Sequence, residues 1–132
     1  MRFGVATVAA LVAAGCTSIA ADQRTFDGTS WRVMALNGRA TPATENYRVR
    51  FQESQMGGQF GCNHFGGPYR VDGDIMTVGP VAVTEMACIG PAGDFESWGL
   101  RTLQQPMRMS WAAGRRLTLA NQAGSIALEL DR

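Results

Sequence analysis

Apolar and polar residues alternate along most of the chain after position 30, and this period of two predicts β-strands. In the first such segment Trp31, Val33 and Ala35 fall on one face, and Asn37-Gly38 follows as a turn. Further segments of this kind are 47–51, 59–62, 67–71, 74–78, 81–84, 107–111, 116–120 and 125–130. The sequence therefore predicts many short strands joined by tight turns.

One segment departs from the alternation and predicts a helix over 94–105. Its residues at helical spacing are Phe95, Trp98, Gly99 and Leu103. Asp94 can cap its first turn, Pro106 ends it, and Gly99 indicates close packing on the sheet. We expect an α+β fold that is mostly β: a small antiparallel sheet of about eight strands, curled or forming a cracked barrel, with one covering helix.

The length, composition and charge of the chain exclude several classes of protein. The 132 residues, 45% of them hydrophobic and 17% charged, fit a single globular domain, which we expect to be a monomer. A net charge of +1 argues against a nucleic-acid partner. All 12 basic residues are arginine, which excludes lysine-dependent phosphate loops, Schiff bases and lysine general bases.

The N-terminal residues predict export. A basic start is followed by an apolar run over 3–14 that is too short for a permanent membrane span, and segment 11–16 resembles the lipobox of bacterial lipoproteins. This predicts a signal peptide over 1–15, a lipid-anchored tether over 16–27 that begins at acylated Cys16, and a domain over 28–132. Thr17 follows the cysteine at the position where aspartate would resemble an inner-membrane retention signal. We therefore expect the anchor to lie in the outer membrane and the domain to face the periplasm. The alternative is ordinary cleavage after Ala20 or Ala21, without a lipid.

Two cysteines, Cys62 and Cys88, then remain in a compartment where thiols oxidise. A disulfide between them is the simpler hypothesis, and it would close a loop of about 27 residues. The alternative makes one of them a reactive thiol with His64 as its base.

Other candidates for chemistry are weak. An enzyme could pair Glu85 with Glu96 or Asp94, but acids in turns and at helix starts are normally solvated. The methionines outside the signal peptide are Met34, Met56, Met76, Met86, Met107 and Met109, and most of them would fill the core rather than bind soft metals. We predict no catalytic residues, no cofactor and no metal site.

The glycine-rich segment 57–69 opens a combined motif that continues into the following strands. Its elements are Gly61-Cys62-Asn63, Phe65, Gly67 and Tyr69, then the strand 75–78, Thr84 and Met86-Ala87-Cys88. The combination resembles the META domain (HslJ-like) family, whose early tryptophan matches Trp31 and whose late Leu-x-Leu strand matches 117–119. The resemblance covers about 26–130.

Membership of that family would imply a compact β-rich domain with a helix, an envelope location, and links to stress or antibiotic tolerance. It implies no catalytic site. We therefore expect a non-catalytic envelope lipoprotein that binds an envelope protein or an apolar ligand.

Overall fold

Eight antiparallel strands close into a barrel in the computed structural model. The structure describes residues 4–5, 9–10 and 23–131, with the backbone alone for 23 and 24. The strands are β1 (Thr29–Leu36), β2 (Arg39–Ala40), β3 (Tyr47–Gln52), β4 (Gln55–Phe60), β5 (His64–Asp72), β6 (Ile75–Val78), β7 (Ala82–Val83), β8 (Met107–Ala112), β9 (Arg116–Asn121) and β10 (Gly124–Leu130). The helices are α1 (Gln23–Phe26) and α2 (Pro91–Leu103). Cys16 and most of the predicted signal peptide lie outside the described residues.

The barrel order is β1-β3-β4-β5-β6-β8-β9-β10, and β10 pairs with β1 to close it. The short strands β2 and β7 pair with β1 and β5. The predicted fold class is confirmed. Within the described residues, no helix is long and apolar enough to span a membrane.

Strand β1 contains an irregularity that changes which residues face the core. Its register with β10 shifts between Val33 and Ala35, so that Leu36 is fully buried and Ala35 is only half-buried. The prediction that Ala35 shares the buried face with Trp31 and Val33 is therefore wrong. A bulge adds one residue to a strand and reverses the alternation beyond it.

Large side chains fill the interior of the barrel. Those that are almost completely buried are Trp31, Tyr69, Phe26, Phe51, Phe60, Leu36, Met56, Met76, Leu103, Met107, Leu117 and Leu119. Burying one such side chain stabilises the fold by roughly 1.5–3 kcal/mol. Met109 is also buried, so most of the methionines do fill the core, as predicted.

The two ends of the barrel are closed differently. At the end where β1 begins, which we call the α1 end, the fully buried Phe26 lies 5.0 Å from Phe51 and 6.1 Å from Trp31 between ring centroids. The opposite end, which we call the α2 end, holds the β4–β5 and β9–β10 turns and is covered by helix α2.

Helix α2 begins earlier than its sequence pattern indicates. Pro91 occupies the first turn, and Asp94 lies within that turn rather than at the cap. Proline suits this position because its ring fixes φ and the N–H that it lacks would have no partner there. Gly99 packs on the barrel as expected: a Cβ at this position would lie 2.3 Å from Cδ2 of Phe60.

Strand pairing around the barrel is least extensive between β6 and β8. These strands share only the pairs Ile75↔Arg108 and Met76↔Met107, whereas β9 and β10 pair along their full length. Thr77 and Val78 still pair with β5 but have no partner in β8, and Leu100 and Leu103 in the C-terminal turns of α2 lie close to Val78. This opening gives the barrel a seam at its α2 end.

Candidate functional site

The Gly61-Cys62-Asn63 turn joins β4 to β5 at the α2 end. Gly61 has φ of 111°, and a Cβ there would lie 2.6 Å from the Tyr47 hydroxyl, so only glycine fits. Cys62 forms a disulfide with Cys88, and the two Cα atoms are 5.9 Å apart. The predicted disulfide is confirmed, and it ties the turn to the segment before α2.

The side-chain amide of Asn63 pairs with the backbone of Met86 as a neighbouring strand would. Its Oδ1 accepts from the Met86 N–H at 2.7 Å, and its Nδ2 donates to the Met86 carbonyl at 3.2 Å. Oδ1 also accepts from Oγ1 of Thr84 at 3.0 Å. Because Asn63 is buried, a bond left unmade there would cost about 1–3 kcal/mol. The amide therefore fixes the path of segment 84–88.

Glu96 joins helix α2 to the same network. Its Oε1 accepts from the backbone N–H of Asn63 at 2.6 Å, and its Oε2 accepts from Asn63 Nδ2 at 3.0 Å. Oε2 also lies 3.4 Å from Sγ of Cys88. The sequence indicated Glu96 only as half of an acid pair; nothing in the helical pattern links position 96 to position 63, so this role was not predicted.

The other motif residues divide between core and surface. Phe65 is buried and stacks on Phe60 with ring centroids 4.6 Å apart, and Gly67 is buried beside the β6–β7 connection. Met86 and Ala87 are exposed, and Met86 contributes through its backbone. The motif therefore holds the α2 end together and also leaves one large apolar side chain in solvent.

Tyr69 serves the opposite end of the barrel. It is buried against Phe51, and its hydroxyl donates to Oδ1 of Asp27, which also accepts from the Ser54 N–H at 3.3 Å. Burial raises the pKa of Tyr69 above its usual value, and the hydrogen bond and negative charge of Asp27 raise it further.

The residues considered for catalysis are not assembled into a site in the described part of the chain. Glu85 and Asp94 are exposed, and Glu96 is held by Asn63. His64 is exposed beside Arg50 on the outer face of the barrel, and its ring has no hydrogen-bond partner among the described residues. The structure thus does not link His64 to Cys62 as base and nucleophile.

An apolar cleft of about 380 Å³ lies at the seam. It is lined by Val78, Gly79, Pro80, Val81, Val83, Leu100, Leu103 and Gln104. Val83 is exposed by 37%, and Met86 and Ile89, further along the same segment, are exposed by 58% and 91%. Exposed apolar surface of this kind normally marks an interaction site.

A larger depression, of about 630 Å³, lies at the α1 end but has a different character. Most of its charged groups already have partners: Arg116 Nε pairs with Glu129 Oε2 at 3.2 Å, and Arg115 donates to the Asp131 carbonyl at 3.0 Å. Polar groups that are satisfied within the chain gain little from a ligand. The smaller apolar cleft is therefore the better candidate for binding.

Comparison with known proteins agrees with the motif and the barrel. The META domain family model matches residues 24–131, which is most of the chain. The chain belongs to the META domain family. The comparison with curated proteins found no match.

Two solved structures share the fold of this META domain. The NMR structure of a protein from Burkholderia xenovorans is 22% identical, with a TM-score of 0.67, over 83% of this chain and 86% of the other. The NMR structure of a further protein is 20% identical, with a TM-score of 0.71, over 83% of this chain and 95% of the other. At this level of identity the likeness shows the fold alone.

Proposed function

We propose that this META domain is a non-catalytic binding module of the bacterial envelope, anchored to the outer membrane through acylated Cys16 and facing the periplasm. Its ligand in this proposal is an extended apolar segment of an envelope protein, and its role belongs to envelope stress or antibiotic tolerance. The lipobox-like segment 11–16 supports the anchor. The Cys62–Cys88 disulfide is consistent with an oxidising compartment.

The apolar cleft at the seam, followed along the chain by exposed apolar side chains, is the observation that carries the proposal. The interior of the barrel is occupied by core residues such as Trp31, Phe51 and Phe60, so a ligand would bind outside it. Val83 lines the cleft and is partly exposed, and Ile89, six residues further along the chain, is exposed by 91%. A partner would bury surface that is now in contact with water, at about 25 cal/mol per Å² of apolar area.

The unpaired edge of strand β7 supports a polypeptide, rather than a lipid, as the ligand. This strand pairs with β5 on one edge, and no other strand in the described residues pairs with its second edge. The N–H of Thr84 donates to the His64 carbonyl at 3.0 Å, so the neighbouring N–H of Val83 points away from β5. An extended peptide could pair with this free edge by strand addition while its side chains enter the cleft.

The position of the cleft fits an anchored protein. The chain enters the barrel at the α1 end, where α1 and the start of β1 lie, and the cleft is at the α2 end. A domain held to the membrane by the residues before α1 would present the cleft away from the lipid surface. A partner in the periplasm would therefore have access to it.

Site-specific photocrosslinking in intact cells tests the binding proposal. A photoreactive residue at Ile89 should capture a discrete polypeptide, and one at the exposed Arg70 should not. Val83→Pro removes the outward N–H and should lower the Ile89 adduct several-fold, whereas Val83→Thr keeps that N–H and should retain most of it. Equal capture from both positions, or capture of lipid alone, would contradict the proposal.

Cell fractionation tests the anchor separately. The wild-type chain should sediment with the outer membrane, and Cys16→Ser should release it into the soluble periplasmic fraction. A wild-type chain that is already soluble would favour plain secretion. Loss of the protein should also lower survival under envelope stress or antibiotic treatment, and a chain with Val83→Pro should not restore it.

A further inference from the structure

Three metal-ligating groups meet where the β4–β5 turn, the segment before α2 and helix α2 come together. The sulfurs of Cys62 and Cys88 and a carboxylate oxygen of Glu96 all lie within 4.8 Å of one another, and all three residues are half-buried. They come from separate parts of the chain, so the fold itself assembles them. Two cysteines and one carboxylate are three of the four ligands that a tetrahedral site needs.

The carboxylate of Glu96 is held in position by Asn63. One oxygen accepts from the Asn63 backbone N–H and the other from its side-chain amide, so the plane of the carboxylate is fixed. In the described part of the chain, Glu96 has no ion pair with an arginine. Hydrogen bonds that orient a ligand in this way are typical of the groups around metal sites.

The spacing of the ligand atoms suits a tetrahedral cation. Zinc bonds of about 2.3 Å to sulfur and 2.0 Å to oxygen place the two ligand atoms about 3.5 Å apart. The observed distance from Cys88 Sγ to Glu96 Oε2 is 3.4 Å. The two sulfurs would need to lie about 3.8 Å apart, which becomes possible once the bond between them is broken.

We propose that reduction of the Cys62–Cys88 disulfide converts this cluster into a site for a thiophilic divalent cation of the zinc type, with two thiolates and Glu96 as ligands and water as the fourth. The disulfide takes two electrons and two protons from a dithiol, which becomes a disulfide in turn. The cation then displaces the two thiol protons to solvent. The oxidised form has no thiolates, so oxidation closes the site.

This inference goes beyond the proposed function and does not depend on partner binding. It gives the Gly-Cys-Asn and Met-Ala-Cys parts of the motif a second, redox-dependent state. In that state a cation, rather than a covalent bond, would join the β4–β5 turn to the segment before α2.

Cobalt(II) titration tests the site by a spectroscopic signature of thiolate ligands. The mature chain with Cys16→Ser is reduced with a phosphine and titrated with Co²⁺. We expect one equivalent to bind with thiolate-to-cobalt charge-transfer bands and tetrahedral d–d bands, and Zn²⁺ to displace it. The oxidised chain should show none of these bands. Zn²⁺ should also raise the thermal stability of the reduced chain and leave that of the oxidised chain unchanged.

Two carboxylate variants separate the proposed site from binding by loose cysteines. Glu96→Gln should weaken Co²⁺ binding at least tenfold in the reduced chain, while Glu85→Gln, at an exposed position nearby, should leave it unchanged. Melting of both variants in the oxidised state checks that they fold. Absence of charge-transfer bands at equimolar Co²⁺ would overturn the proposal, as would equal affinity of the wild-type and Glu96→Gln chains.

Discussion

The two ends of the barrel are closed by different kinds of interaction. At the α1 end, Phe26 is fully buried among the rings of Trp31 and Phe51. At the α2 end, a disulfide and the Asn63 network hold a segment whose side chains are mostly exposed. Apolar packing contributes to the stability of the whole barrel, whereas the network at the α2 end positions a surface segment. The α2 end is therefore where structure can change while the barrel stays folded.

Removing the buried ring of Phe26 at the α1 end should lower the free energy of unfolding the most. Phe26→Ala deletes a fully buried ring and should lower the free energy of unfolding by about 3–5 kcal/mol. Denaturant unfolding at equilibrium measures this change. Trp111→Ala is the control, because that ring packs on Phe26 but is 51% exposed, and it should cost about half as much or less. Similar losses for both variants would contradict the view that burial of Phe26 closes the α1 end.

Removing the disulfide at the α2 end should have the second-largest effect on the free energy of unfolding. The double variant Cys62→Ala with Cys88→Ala should lower the free energy of unfolding by about 3.5 kcal/mol, since the bond spans 26 residues. Reduction of the wild-type chain without metal should give a similar loss in the same denaturant assay. A loss below about 1 kcal/mol would show that the hydrogen bonds hold the α2 end without the covalent bond.

Removing the Asn63 amide should have a smaller and more local effect. Asn63→Ala leaves the Met86 N–H and carbonyl without their partner and should cost about 2 kcal/mol. Hydrogen exchange should accelerate at Met86 and its neighbours but not in the β9–β10 hairpin. His64→Ala changes an exposed neighbour and should leave exchange unaltered. Faster exchange throughout the barrel would show that the two ends are not independent.

Much of the fold follows from local pattern, because strand alternation and turn residues act over short distances. Strands β9 and β10 were predicted within one residue, and Tyr47–Gln52 within one residue as well. Ala35 was misplaced because a bulge depends on the register with β10, which the alternation within β1 does not reveal. The two-residue strand β2 is too short to leave a pattern.

The site was only partly predictable. The disulfide followed from the number of cysteines and the expected compartment, and it is present. The contacts of Glu96 with Asn63 join residues 33 positions apart, and no local rule connects them. The cleft arises where β6 and β8 part, which depends on the closure of the whole barrel. Long-range geometry of this kind requires the structure.

The smallest of these effects on the free energy of unfolding is expected at alkaline pH, where the two ends should respond differently. The chain has 2 tyrosines and no lysine, so between about pH 9 and 12 Tyr69 at the α1 end and Tyr47 at the α2 end dominate the titration. Burial raises the pKa of both, and Asp27 raises that of Tyr69 further. Above the unfolded value of 10.0, the native state therefore holds more protons than the unfolded state, and the free energy of unfolding falls.

Each tyrosine can contribute up to about 1.4 kcal/mol per pH unit to this fall, until the pH reaches its raised native pKa. Tyr69→Phe should therefore flatten the decline between pH 10 and 11, and Tyr47→Phe should do so less, because its pKa is raised by burial alone. Urea unfolding at pH 9, 10 and 11 measures the slopes. Equal slopes in the wild-type and Tyr69→Phe chains would mean that the pKa of Tyr69 is not raised in the folded protein.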